Sequence, residues 1–359
     1  MQGTTGATTG MGVALFGATG YTGREAARLV AGHPAFRLAA VFGGPDRQGV
    51  PLAAIHPSLH GSVDNRCEPL PANGDTARLA GDLAARGVRF ALLATPEETS
   101  MRLAPALIAS GLRVVDLSGA FRLAGPAEFA EWYGVRHESP ALFERAVYGL
   151  AEWRRDAIAA ADLVANPGCY PTAALLAILP LRRAGLLDTG MPVTVHAVSG
   201  VSGAGRRMRQ DLLFCEVEGS VRPYGLPRHR HLGEIARIAD LVPGDGLIFV
   251  PHLAPLDRGL ICSLSARLAA GAGDREIAGA FASVYRDTPF VRIAGDGRLP
   301  STGEVRGTNT CVLGWTLAPG GRHIVVHAVI DNLIKGASGQ AIQNLNLMAG
   351  RPEAEGLPR

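Results

Sequence analysis

Aromatic residues are scarce in this sequence, at 6% against 47% hydrophobic residues overall, so its interior must be built from Ala, Leu and Val rather than from rings. A framework of close cysteine pairs is missing as well. Cys67, Cys169, Cys215, Cys262 and Cys311 are five, an odd and scattered set, which excludes a disulfide scaffold and a zinc ribbon and suits a reducing cytosol. An excess of one charge is absent: 35 Lys and Arg meet 32 Asp and Glu, with no long basic run interleaved with aromatics, so nucleic acid is not a favoured partner. No uninterrupted apolar run is long enough to span a bilayer, and the opening MQGTTGATTG has no apolar core. The expectation is a cytoplasmic protein without a membrane partner and with a mobile tail over residues 1–10.

What is present is glycine, 46 residues of it, in a chain of 359 that is comfortable for two domains. GVALF (12–16) reads as a strand, REAARLVAG (24–32) as an amphipathic helix, and FRLAAVF, RFALLAT and LRVVDL as further buried strands, with the helix MRLAPALIASG between the last two. This alternation predicts an α/β unit with a parallel sheet of the Rossmann type. After Asn166 the pattern changes. PVTVHAV, LIFVPHL, LICSLSARL, TCVLGWTL and HIVVHAVI follow with few helices, predicting an α+β domain with a mixed or antiparallel sheet. KGASGQAIQNLNLM (335–348) has helical spacing and is expected to return to the first unit. The domains are therefore drawn as 11–165 with 332–359, and 166–331.

Gly17, Gly20 and Gly23 are spaced GxxGxxG between the first strand and the first helix, where backbone amides can approach a pyrophosphate without Cβ obstruction. A tight structural turn would use the same residues. The second strand ends VFGGPDRQG, without an immediate carboxylate for a ribose; Arg47 there suits a 2′-phosphate, or is simply a solvated loop charge.

NPGCYPT (166–172) is the most informative stretch. Pro167 and Gly168 break a strand, and Pro171 is tolerated in the first turn of the helix that AALLAILPLRRAG continues. Cys169 thus sits at a helix N-terminus, where the macrodipole favours the reactive thiolate. In RPYGLPRHRHLGEI, His229 and His231 suit proton exchange with a thiol or serve as satisfied loop histidines; with Glu234 they lack a further ligand cluster, and no metal is expected.

The order of GATGYTGRE, VVDLSGAFRL, ANPGCYPTAALLAI, SGVSGAGR, HRHLGEI, FVPHLAPLDRGL, GTNTCVLGW and DNLIKGASGQAIQNLN resembles, along almost the whole chain, the N-acetyl-γ-glutamyl-phosphate reductases of arginine biosynthesis. The resemblance implies Cys169 as nucleophile and His231 as acid/base. It implies NADP on Gly17, Thr19, Gly20, Tyr21, Thr22, Gly23 and Arg47, with the last helix (Gly339, Gln340) beside the nicotinamide. It gives a small acyl phosphate as substrate, with Arg122, Asn166, Ser199, Arg206, His229 and Glu234 around it, and a homodimer or homotetramer as assembly. Two departures stand out: SGAFRL where the family has SADFRL, placing Ala120 at an acidic position, and TPEET (95–99) where it has Pro-His-Gly. The rival readings are a sister reductase of aspartyl or carrier-linked aminoadipyl phosphate, and a non-catalytic NADP sensor, against which the retained NPGCYPT and HRH argue.

Overall fold

The structure, a computed structural model, describes residues 10–71, 74–295 and 297–359. The expected mobile tail lies almost wholly outside them. Seven strands form the first sheet: β1 (Met11–Phe16), β2 (Phe36–Phe42), β3 (Cys67–Glu68), β4 (Val88–Leu93), β5 (Arg113–Asp116), β6 (Ala146–Tyr148) and β7 (Leu163–Ala165). Their order is β3-β2-β1-β4-β5-β7-β6, every neighbour parallel. Such a sheet is covered on both faces, which is why Val13, Ala14, Leu15 and Phe16 are consecutive and all fully buried. The winding reverses between β1 and β4, and a crevice opens at the carboxyl end of β1 where the glycine turn lies.

The second sheet contains β8 (Val193–Gly200), β9 (Arg222–Pro223), β10 (Leu247–Ala254), β11 (Leu260–Arg267), β12 (Val291–Ile293), β13 (Cys311–Leu317) and β14 (His323–Ile330). Its order is β12-β13-β14-β11-β8-β10-β9, mixed in direction, with β8 parallel to β10 and antiparallel to β11. In β8, Val193, Val195 and Ala197 are buried while Thr194, His196 and Val198 are not, the alternation of a sheet covered on one face. The cover is the helix Cys169–Arg183, eleven of whose fifteen residues are buried; its apolar body pins down the end that carries Cys169.

The C-terminal segment returns to the first sheet. The helix Gly339–Met348, buried throughout, packs against the helices Ala151–Ala160 and Tyr21–Ala31. Its start differs from the expected continuous helix: Ile334–Ser338 winds as a wider π turn, entered through Asp331, whose Oδ1 accepts the amides of Leu333 and Ile334 at 2.9 and 3.2 Å. Lys335 in that turn is completely buried and ion-paired to Glu152 at 2.6 Å, tying the returning chain to the helix Ala151–Ala160.

Candidate active site

The glycine turn uses its three glycines differently. Gly17 has φ of 77°, and a methyl there would strike the carbonyl oxygen of Ala94 at 2.1 Å; on Gly23 it would strike that of Gly17 at 2.2 Å. Both are demanded by packing. On Gly20 the nearest atom would be 3.6 Å away, so this glycine leaves an open approach. No side chain caps the helix Tyr21–Ala31 that follows, and its first turn carries no acidic residue. An uncapped helix start behind an open glycine fits a pyrophosphate. The turn's carbonyls are held from outside, that of Ala18 by His56 Nε2 at 3.0 Å and that of Thr19 by Arg206 Nη1 at 3.0 Å. Arg47 is half-exposed beside Gly43, paired with Asp46 at 3.0 Å.

Cys169 opens its helix behind Gly168, again without a side-chain cap. A cavity of about 480 Å³ has Cys169, His229, His231 and Ser199 in its walls, so the structure brings these four together. His231 abuts the residue before Cys169: a methyl on Gly168 would meet its Nε2 at 2.5 Å. The His229 side chain caps the helix Arg230–Ala239 by accepting the amide of His231 at 3.1 Å, which fixes its Nδ1 as an acceptor. Burial, then the neighbouring His229, Arg230 and Arg122, hold His231 well below the usual histidine range, and its Nδ1 is buried without a partner. His229 is held at about 4, by burial first and Arg230 second.

The thiol differs from the sequence expectation. Burial pushes Cys169 up to about 11, outweighing the Tyr170 backbone hydrogen bond and the Arg122 charge that favour thiolate. The helix start alone does not ionise it, because desolvation of a sulfur anion is the larger effect here.

Four residues assigned to the substrate are placed otherwise. Arg122 is spent on the carbonyls of Asn166 (2.8 Å) and Leu117 (2.7 Å) and on Glu234 (3.3 Å). Glu234 accepts the Gly168 amide at 2.9 Å and the Tyr148 hydroxyl at 2.8 Å. Asn166 is buried between Ala337 and Asn344. These three build the wall beneath Cys169; none offers a free group to a ligand. Arg206 lies outside the Cys169 cavity, in a second hollow with Tyr21 and Arg24. In the returning segment, a methyl on Gly339 would collide with Asn309 at 2.3 Å and Gln340 donates to the Gly149 carbonyl, so both serve packing. It is Ser338 that reaches the glycine turn, donating to the Thr22 carbonyl at 2.8 Å, and Gly336 that touches Cys169, its missing Cβ lying 2.8 Å from that of Cys169. Gly336 was legible as a small residue beside Gly339; Arg209 and Arg222, which line the Cys169 cavity, carry no local signal.

Comparison with known proteins agrees with this fold. Residues 12–161 match the semialdehyde dehydrogenase NAD binding domain, and residues 169–332 the semialdehyde dehydrogenase dimerisation domain. Aspartate semialdehyde dehydrogenase II from Vibrio cholerae has the same fold, with a TM-score of 0.71 over 95% of this chain and 99% of its own at 17% identity. The enzyme from Candida albicans, solved with NADP, gives 0.67 over 95% and 98% at 12% identity. Fold and site together define a member of the semialdehyde dehydrogenase superfamily. The N-acetyl-gamma-glutamyl-phosphate reductase of Halorhodospira halophila is 45% identical over 351 residues, 96% of this chain and 97% of its own, and that of Alkalilimnicola ehrlichii 46% identical over 349 residues, with the same coverage. This chain belongs to the N-acetyl-gamma-glutamyl-phosphate reductase family.

Proposed function

We propose that the chain reduces N-acetyl-γ-glutamyl phosphate to N-acetylglutamate γ-semialdehyde with NADPH, releasing phosphate, as a step of arginine biosynthesis. The observation that carries the reading is the placement of Cys169 at a helix start, in one cavity with His231, and against Gly336 of the segment that also reaches the glycine turn. The Cys169 sulfur bonds to the acyl carbon as the carbon–oxygen bond to phosphate breaks, and the electron pair leaves with phosphate. His231, neutral in this burial, takes the thiol proton, which departs with the phosphate. A reduced nicotinamide would supply hydride when bound; the glycine turn, open at Gly20, would hold its pyrophosphate and Arg47 its 2′-phosphate. The uncapped amides at the start of the Cys169 helix face the oxyanion. When the carbon–sulfur bond breaks, its electron pair returns to Cys169, which regains a proton from solvent by way of His231.

In this reading residues 11–165 with 332–359 hold the dinucleotide, and 166–331 hold the substrate and the surface of a homodimer or homotetramer. The matched dimerisation domain supports that assembly. A cytoplasmic setting suits five free cysteines, and among the described residues no helix is long and apolar enough to cross a membrane. The test is NADPH oxidation on N-acetyl-γ-glutamyl phosphate, aspartyl phosphate and carrier-linked aminoadipyl phosphate, with Cys169→Ala as control. Turnover confined to the first supports the reading; turnover on another alone, or undiminished turnover by the variant, sinks it.

A further inference from the structure

The Cys169 cavity carries four arginines in its walls: Arg209, Arg222, Arg228 and Arg230. Two are neutralised one to one. Arg228 pairs with Glu131 at 2.7 Å and lies over the Trp132 ring; Arg230 pairs with Glu97 at 2.9 Å and lies over the Tyr133 ring. The other two share a single carboxylate. Arg209 donates to Asp211 through Nε and Nη2 at 2.9 and 2.6 Å, while Arg222 Nη2 reaches the Asp211 Oδ2 at 3.1 Å and its carbonyl at 2.6 Å. Two guanidinium groups on one carboxylate leave a surplus positive charge, and each guanidinium carries five N–H groups, more than these contacts use. Arg222 belongs to β9, in register with Leu253 of β10.

We propose that Arg209 and Arg222, braced by Asp211, are the subsite for the α-carboxylate of the substrate, and so select a substrate that carries an α-carboxylate over one that lacks it. The assignment rests on the reaction proposed above. That substrate has two anionic ends. Its phosphate is attached to the carbon that must reach the Cys169 sulfur, so the phosphate lies at the Cys169 end of the cavity. The α-carboxylate, separated from that carbon by three others, is the anion directed to the mouth, where the side chains of Arg209 and Arg222 are 52% and 39% exposed. A planar guanidinium fork matches a carboxylate in both geometry and charge.

The test runs the reaction in reverse, on NADP and inorganic phosphate, with two aldehydes: N-acetylglutamate γ-semialdehyde and 4-acetamidobutanal, which lacks only the α-carboxylate. The native chain is expected to prefer the first in kcat/KM by about 10- to 100-fold, the worth of charge-assisted hydrogen bonds. Arg222→Gln and Arg209→Gln should each erase most of that preference by loss on the carboxylated aldehyde alone, leaving 4-acetamidobutanal and the KM for phosphate unmoved; Arg209→Lys, which keeps the charge without the fork, should recover part of it. An equal fall on both aldehydes, a preference retained in both glutamine variants, or a KM for phosphate that rises in its place would overturn the subsite while leaving the reaction standing. A native chain that turns over neither aldehyde would overturn the reaction and the subsite with it.

Discussion

The backbone amide of Gly168 donates to Oε1 of Glu234 at 2.9 Å, so the helix that carries His231 also holds the residue in front of Cys169. On the other side of the same loop Arg122 holds the Asn166 carbonyl at 2.8 Å and closes the frame by pairing with Glu234 at 3.3 Å. Cys169 and His231 are thereby set on one support built from two distant stretches of chain. Both members of the ion pair are buried, and the carboxylate is further satisfied by the Tyr148 hydroxyl at 2.8 Å.

Glu234→Gln removes the charge and leaves the Arg122 guanidinium buried without a counter-ion. Breaking such a pair from one side costs about 3–5 kcal/mol. We expect a lower midpoint in denaturant and a slower chemical step, with affinity for NADPH in the surviving folded fraction nearly native, because the glycine turn is not part of this frame. Denaturant titration with cofactor binding by fluorescence checks this; an unchanged midpoint would show that the pair is not holding the loop.

The three turn glycines should separate in mutagenesis. Gly23→Ala places a methyl 2.2 Å from the Gly17 carbonyl and should destabilise the fold outright. Gly20→Ala has 3.6 Å of room and should keep the native melting temperature while raising the KM for NADPH, since the methyl would occupy the side open to a pyrophosphate. A Gly20→Ala chain with native KM would move the cofactor away from this turn.

What the sequence made legible follows from how local each signal is. The GxxGxxG turn and the helix start at Cys169 are set by steric demands within a few residues, so Gly17, Gly23, Pro171 and Cys169 could be placed without the fold. The strands β6 and β7, three residues each, are too short for a periodic pattern to show. Arg206 was read as a substrate anchor because it stands in a motif with Ser199, yet its side chain ends on Thr19, 187 residues away in the chain. Arg122 and Glu234 stand in motifs around the Cys169 loop, but whether a charged side chain faces a ligand or the loop beneath it depends on burial, which no spacing reveals. The segment that carries Gly339 and Gln340 enters as a π turn, a winding no spacing reveals, which brings Ser338 to Thr22 and Gly336 to Cys169.

Cys169 should be a slow nucleophile toward a neutral alkylating agent in the free chain. Its thiol titrates at about 11, whereas Cys215 is exposed. Iodoacetamide at pH 7, followed by peptide mapping, should label Cys215 first, and activity loss should follow the later labelling of Cys169 and accelerate as pH rises toward 11. Faster labelling of Cys169 than of Cys215 at neutral pH would mean that the helix start outweighs burial after all.

His231 supplies the last test. Its lowered pKa means that the folded chain binds fewer protons here than the unfolded chain does. Stability contributed by this group is therefore present above the unfolded value near 6.5 and is lost as pH falls below it, with a slope of up to about 1.4 kcal/mol per pH unit. The same neutrality suits a proton acceptor beside a thiol that is itself neutral. In the free chain both groups keep one form across neutral pH, so kcat/KM should be flat there, falling on the acid side as His231 charges. His231→Asn retains a hydrogen-bonding side chain of similar size but cannot take a proton. It should lower the single-turnover rate by about 10²–10⁴-fold while leaving NADPH affinity near native, and its stability should depend less steeply on pH below 6.5. His229→Asn should cost less in rate, because His229 acts by capping the helix through its contact with the His231 amide at 3.1 Å. If the His229 variant lost the rate and the His231 variant kept it, the acid/base would be the other member of the pair; equal, near-native rates in both would take histidine out of the chemical step.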